Sequence, residues 1–276
     1  MTAPPGLIKL GAPPKLGDYL RSIWARRELA ASIPLGELKA QNQDTVLGGL
    51  WHLLNPLLLV LVYYVVFGLI LRIGDRGTDN FIAFLSTGIF TFFFTRKSIQ
   101  SGAKSIVSNL GLIRSIQFPR VILPIAAVLG ETLAMGPAVA TMFAVVLLTG
   151  EQPRFMWLLA LPIFAVQAVF NLGLAMGVAR LTDHFHDVQQ LIPYLMTIWM
   201  YLSGLFYDVD AFVTNPIVLL VFKANPAYAF IQLIRDALLD GSTDPGLWLV
   251  VAGWTVASFA AGFVYFRARE GAYGRG

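Results

Sequence analysis

The chain has 276 residues, 57% hydrophobic and only 13% charged, with a mean hydropathy of +0.68; an average soluble domain carries roughly 25% charged residues. This excludes a soluble globular protein, and a bilayer core that needs roughly 20 apolar helical residues per crossing leaves room for about six spans and no separate soluble domain. The lack of cysteine excludes disulfides, thiol catalysis and cysteine-held metals, and the excess of 20 Lys and Arg over 16 Asp and Glu bears on membrane orientation rather than on nucleic acid.

In chain order, residues 1–45 form a basic tail with Lys9, Lys15, Arg21, Arg26, Arg27 and Lys39 but no apolar core of a signal peptide, so the first span is expected to direct insertion. Within the tail, KLGDYLRSIWARRELAA sets Leu16, Tyr19, Leu20, Ile23 and Trp24 on one side of a helix. This predicts an amphipathic helix at the cytosolic interface with Trp24 at headgroup level. Six segments then read as spans, at about 50–71, 81–100, 121–149, 155–179, 190–207 and 247–266. The second is short, with an apolar part of only 15 residues, FIAFLSTGIFTFFFT. The third is long at 29 residues and holds Pro124, Gly136 and Pro137.

Between spans five and six, segment 208–244 contains AFVTNPIVLLVFK and PAYAFIQLIRDALL, each under 15 residues. Two short re-entrant helices broken at Asn225–Pro226, buried against protein, satisfy the bilayer's demand for paired backbone; an amphipathic hairpin on the outer surface is the alternative. With the N-terminus in the cytosol, 15 of the 20 Lys and Arg fall on cytosolic faces, leaving Arg72, Arg76, Arg154, Lys223 and Arg235 outside. That bias, with an even number of spans, puts both termini in the cytosol. The expected fold is all-α, a single transmembrane domain over 1–276 with its six-helix core at 50–266.

The fifth span is the most informative. Gln190, Tyr194, Thr197, Tyr201, Gly204 and Asp208 recur at steps of three and four, giving a polar, aromatic face that packs on another helix or lines a passage. Tyrosine suits a passage for sugars, offering a flat apolar face and a hydroxyl. In the first span Asn55, Leu59, Tyr63 and Phe67 form a slowly winding stripe, Pro56 sits in the first turns, and Tyr64 points about 100° away to pack against a helix. Glu131 lies inside the third span and must face the interior, bonded to a neighbouring helix or water.

The stretch DHFHD at 183–187 has a superficial metal-ligand look, but its histidines point apart on a helix. Asp208-Val209-Asp210 resembles the Asp-x-Asp of metal-dependent sugar transferases, yet no acid, His or basic cluster joins it, and a helix cap is the simpler reading. No Gly-x-x-x-x-Gly-Lys-Ser/Thr loop occurs, so nucleotide binding of that kind belongs to another subunit. No catalytic residue, metal site or cofactor is assigned.

Four stretches carry a resemblance: VLGGLWHLLNPLLLVLVYYVVFG at 46–68, FPRVILP at 118–124, HDVQQLIPYLMTIWMYLSGLFY at 186–207 and NPAYAFIQLIRDALLDG at 225–241. In order and spacing they resemble the permease subunits of ABC transporters that export lipid-linked polysaccharides such as O-antigen, teichoic acid and galactan. The 46–68 wording looks most like the actinobacterial galactan exporter. The resemblance implies a half-transporter in the plasma membrane: a homodimer forming the channel, two copies of a separate ATPase holding ATP and Mg, and a lipid-diphosphate-linked polysaccharide as cargo.

It further implies a channel lined by Asn55, Tyr63, Phe67, Tyr194, Thr197 and Tyr201, and a gate helix with Tyr19, Ile23, Trp24 and Arg27. A coupling helix would carry Ser108, Asn109, Leu110, Ile113 and Arg114, and the re-entrant region Pro216, Asn225 and Pro226. Two departures stand out. His186 precedes Asp187 where the family usually has Arg, and Gln41 and Asn42 replace an Arg-Tyr-like pair. The rival readings are an ABC permease for a drug or simple lipid, a membrane-embedded glycosyltransferase, and a non-transporting scaffold.

Overall fold

The computed structural model describes residues 16–43, 51–75 and 78–270. Residues 46–50 of the first motif, Lys9, Lys15, Arg76 and Arg275 lie outside the described residues, as do the side chains of Lys39, Gln41 and Asn42. Twelve α-helices are described: α1 (Leu16–Ala25), α2 (Arg27–Gln43), α3 (Trp51–Tyr63), α4 (Phe81–Lys104), α5 (Leu110–Ser115), α6 (Ile122–Leu148), α7 (Ala160–His184), α8 (Val188–Tyr201), α9 (Val209–Phe212), α10 (Pro216–Lys223), α11 (Pro226–Arg235) and α12 (Pro245–Arg267). Wider π turns extend α3 over Tyr64–Ile70 and α11 over Asp236–Asp240.

Asparagine, aspartate and proline start the later helices. Asn215–Pro216, Asn225–Pro226 and Asp244–Pro245 each place a side-chain oxygen on a first-turn N–H and a proline where the helix needs no donor. Asn80 caps α4 by accepting from Ala83 N at 3.2 Å. At the end of the α11 extension Gly241 closes the π turn in the left-handed region, φ 71°.

Among the described residues three helices are long and apolar enough to cross a membrane: Ile122–Leu148, Phe155–His184 (α7 with the 3-10 turn Phe155–Leu159 before it) and Pro245–Arg267. Leu54–Ile70 is a shorter apolar helix, and the pair Pro216–Lys223 and Pro226–Asp240 is bent by 82° at its break. The bend falls at Asn225–Pro226 because proline excludes the helical conformation from the residue before it.

The expected fifth span is corrected: α8 ends at Tyr201, and the chain turns through Gly204, φ 63°. The polar stripe is therefore helical only from Gln190 to Tyr201. Gly204 sits in a turn against Val209 and Tyr228, and Asp208 caps α9 by accepting from Asp210 N at 3.0 Å.

Helices α4, α6, α7 and α12 form the packed body. Between α7 and α12 the backbones touch, since a Cβ on Gly262 would fall on the Gly173 carbonyl, a contact only glycine permits. Between α4 and α7 runs a buried polar ladder. Gln167 Nε2 donates to Thr91 O and Thr95 Oγ1, Thr95 Oγ1 donates to Asn171 Oδ1 at 2.8 Å, and Asn171 Nδ2 donates to Ser98 Oγ. In a medium without water such bonds hold helices in register.

The two ends of the body differ. At one, Asn80 of α4 donates to Thr149 O and Glu151 just after α6, and Trp157 Nε1 donates to Leu238 O of the α11 extension. At the other, Arg120 before α6 meets Glu270 after α12, and Arg180 of α7 stacks on Tyr265 at 3.8 Å. The second end also carries Lys104, Arg114, Arg267 and Arg269. It is the basic end.

Candidate functional site

The residues expected to line a passage do not form one cluster within a single chain. Tyr63, Phe67 and Tyr201 converge on Phe206, a residue the sequence reading did not single out. Phe67 stacks on Phe206 at 4.5 Å, Tyr63 meets it edge-on at 4.8 Å, and Tyr201 lies 5.3 Å away. This aromatic cluster joins the end of α3 to the turn after α8, and rings offset in this way gain beyond their buried area. Tyr64 turns elsewhere, its ring covering Gly68.

Along α8, Tyr194 is 72% exposed and Tyr201 48% exposed, with Leu191, Leu195 and Ile198 also exposed. Thr197 Oγ1 is committed to its own helix, donating to Pro193 O at 2.9 Å. Asn55 lies apart from all of these, at the mouth of a cavity between α3, α4 and α6 that also holds Glu131. Glu131 accepts from Ser101 Oγ of α4, the neighbouring-helix bond expected for it.

The bent pair α10–α11 is fastened by two side chains. Asn225 is the junction: its Oδ1 caps Ala227 N at 3.0 Å and accepts from Trp199 Nε1 at 2.9 Å, while its Nδ2 donates to Leu202 O at 2.8 Å. One amide thus starts α11 and holds the end of α8. Pro216 and Pro226 occupy the first turns of the two arms.

Arg235 is the second fastening and the functional candidate that the sequence reading missed. It is 2% exposed, donates to Gly204 O at 3.0 Å, Leu205 O at 2.8 Å and Phe84 O at 3.3 Å, and covers the Phe84 ring at 3.4 Å. Its only sequence signal is a charge inside the apolar run FIQLIRDALL, where it was counted among the outer charges.

At the basic end the gate-helix residues divide. Tyr19 is buried, 6.1 Å from the Phe263 ring and under the Arg267 guanidinium, and Ile23 packs into the same cluster. Trp24 is 71% exposed, with Arg27 5.5 Å over its ring and donating to its carbonyl. Helix α1 is therefore tied to α12 on one side while Leu16, Leu20 and Trp24 remain open on another. The 102–118 loop holds one turn at Val107–Asn109 and α5. Ser108 and Arg114 are exposed there, Asn109 and Leu110 half-buried, and Ile113 packs beside Ile106 and Val121.

No group of three or more His, Asp or Glu gathers to metal-binding distance among the described residues.

Among the described residues, an all-helical body with long apolar helices, a bent apolar pair at one end and a basic opposite end fits a protein embedded in a membrane. The chain belongs to the ABC-2 type transporter family, whose model matches residues 35–239. It is 26% identical to the O-antigen export system permease protein RfbA of Klebsiella pneumoniae over 78% of this chain and 81% of that protein. It is 26% identical to the RfbA protein of Myxococcus xanthus over 75% of this chain and 78% of that one. The polysialic acid transport protein KpsM of Escherichia coli is 23% identical over 86% of this chain and 91% of its own length.

Proposed function

We propose that this chain is the permease subunit of an ATP-driven exporter that moves a lipid-diphosphate-linked polysaccharide, of galactan or O-antigen type, across the plasma membrane. Two copies form the channel, each with six spans, counting α3, α4 and α8 with the three long apolar helices. The bent pair α10–α11 is re-entrant on the outer side. The basic end lies in the cytosol, with both termini, and meets two copies of an ABC ATPase through α5 and its flanks. ATP and Mg bind there, not on this chain, which performs no covalent chemistry. A separate ATPase can drive transport only if its nucleotide states bind the two channel states unequally.

The observation that carries this reading is the open face of α8. Tyr194 and Tyr201 stand exposed among Leu191, Leu195 and Ile198, a face that offers two phenol rings suited to stacking on sugar rings across a channel. The names of the relatives, which speak of O-antigen and polysialic acid, support a glycan cargo.

The test replaces Tyr194 by Ala in the assembled transporter. Export lost while assembly and basal ATP hydrolysis persist supports sugar contact. Loss of assembly instead makes Tyr194 a packing residue, and unchanged glycan export removes Tyr194 from the sugar path.

A further inference from the structure

The cavity between α3, α4 and α6 has a volume of about 480 Å³, within the roughly 300–1,000 Å³ of pockets that hold an organic ligand. Its walls change character along the helices. Phe90, Phe93 and Phe94 of α4, Leu59 of α3 and Met135 and Ala138 of α6 line it with apolar groups, whereas Asn55, Lys97 and Glu131 supply its polar lining. With about 1.5 Å of rise per residue, Lys97 lies roughly 10 Å from the basic end of α4 and Glu131 roughly 13 Å from the start of α6. The polar part thus opens towards the basic end, and the apolar part runs towards the bilayer centre.

Ionisable groups at such depth are costly unless matched by a partner. Here a cation and a carboxyl line one cavity, and among the described residues Glu131 receives a hydroxyl bond from Ser101 and no ion pair. One wall is formed by Leu58 and Val62, 47% and 52% exposed, so the cavity opens on the side of the body rather than into its packed interior. Helix α2 borders its polar end, because Pro34 packs against Gly130, the neighbour of Glu131.

We propose that this cavity is a binding site for a zwitterionic phospholipid bearing a primary ammonium. One acyl chain lies along Leu59, Phe93 and Ala134, the phosphate meets Lys97 and Asn55, and the ammonium donates to Glu131. The pairing of one cation with one acid excludes a purely anionic headgroup as the best match. A choline headgroup has no N–H to give, so it forfeits the bond to Glu131. Since α2 packs at the polar end, an occupant of this site braces the helix that precedes the first span. The site stands independently of the cargo.

The experiment uses the full chain, purified as it assembles, in vesicles containing acyl-diazirine phosphatidylethanolamine. Parallel vesicles carry phosphatidylcholine or phosphatidylglycerol with the same photoreactive tail, or a photoreactive polyprenyl diphosphate. The expected result is preferential labelling by phosphatidylethanolamine at peptides spanning 90–97 and 131–138. Glu131→Gln, which keeps the shape and an acceptor for Ser101, should cut that preference by about tenfold, and Ala138→Phe should abolish the labelling by filling the apolar part. Equal labelling by all lipids, label absent from both peptides, or preferential labelling by the polyprenyl diphosphate would each overturn the assignment. The wild-type comparison decides the matter even where a variant fails to fold.

Discussion

The guanidinium of Arg235 lies 3.4 Å over the Phe84 ring while donating to the Phe84 carbonyl, so α11 is fixed to the first turns of α4 by face and edge at once. The same group holds the carbonyls of Gly204 and Leu205 in the turn after α8. Three separate parts of the chain meet at this side chain.

Replacing Arg235 by Ala should therefore destabilise the protein by roughly 3–5 kcal/mol, because the carbonyls it serves are left buried without their donor. Lys should recover only part of this, since an ammonium lacks the planar fork that stacks and donates together. Thermal unfolding in detergent measures both, and equal stability of R235A and wild type would remove the clamp from the account.

The α7–α12 contact offers a test with its own control. A methyl on Gly262 meets the backbone of Gly173, whereas one on Gly177 meets nothing within 4 Å. Gly262→Ala should cost about 1–3 kcal/mol through enforced separation of the helices. Gly177→Ala should be neutral or stabilising by a few tenths, as alanine favours the helix. Unfolding midpoints of the pair, measured side by side, should separate clearly.

Asn225 should show coupling to Trp199. Asn225→Ala removes a helix cap, a change that costs roughly 1–2 kcal/mol, and also strands the Trp199 indole N–H and the Leu202 carbonyl. In a double-mutant cycle with Trp199→Phe the two losses should overlap by at least about 0.5 kcal/mol. Strict additivity would mean that the indole bond adds nothing.

How far the sequence disclosed this arrangement depended on the kind of signal. Apolar length located α3, α6, α7 and α12 within a few residues, because in a bilayer length and hydropathy alone define such helices. The break at Asn225–Pro226 was legible from proline chemistry, and the bond of Glu131 to a neighbouring helix from the cost of a buried acid. The periodic stripe of the fifth span was extended too far, since periodicity continued past Tyr201 into a turn where Gly204 needs a positive φ.

Arg235 and Phe206 were not legible because their roles arise from contacts across long separations: Arg235 to Phe84, and Phe206 to Phe67. The same holds for the ladder from Gln167 to Thr95. On α1 the single apolar side that was expected is divided between Tyr19, buried against α12, and Trp24, exposed.

The exposed turn at Ser108 and Arg114 should couple the permease to its ATPase. Ser108→Trp alters shape at an exposed position, so folding should persist, within about 0.5 kcal/mol as for most surface changes. Co-purification of the ATPase and glycan-stimulated hydrolysis should both fall. Normal co-purification would move the docking surface elsewhere.

The most direct test of the central claim is ATP hydrolysis by the purified permease–ATPase complex in vesicles, titrated with lipid-diphosphate-linked polysaccharide. The account predicts that the glycan-bearing lipid raises the rate, that the same lipid without sugar does so less, and that Tyr194→Ala abolishes the difference. Stimulation by a drug or simple lipid with none by the glycan would contradict it.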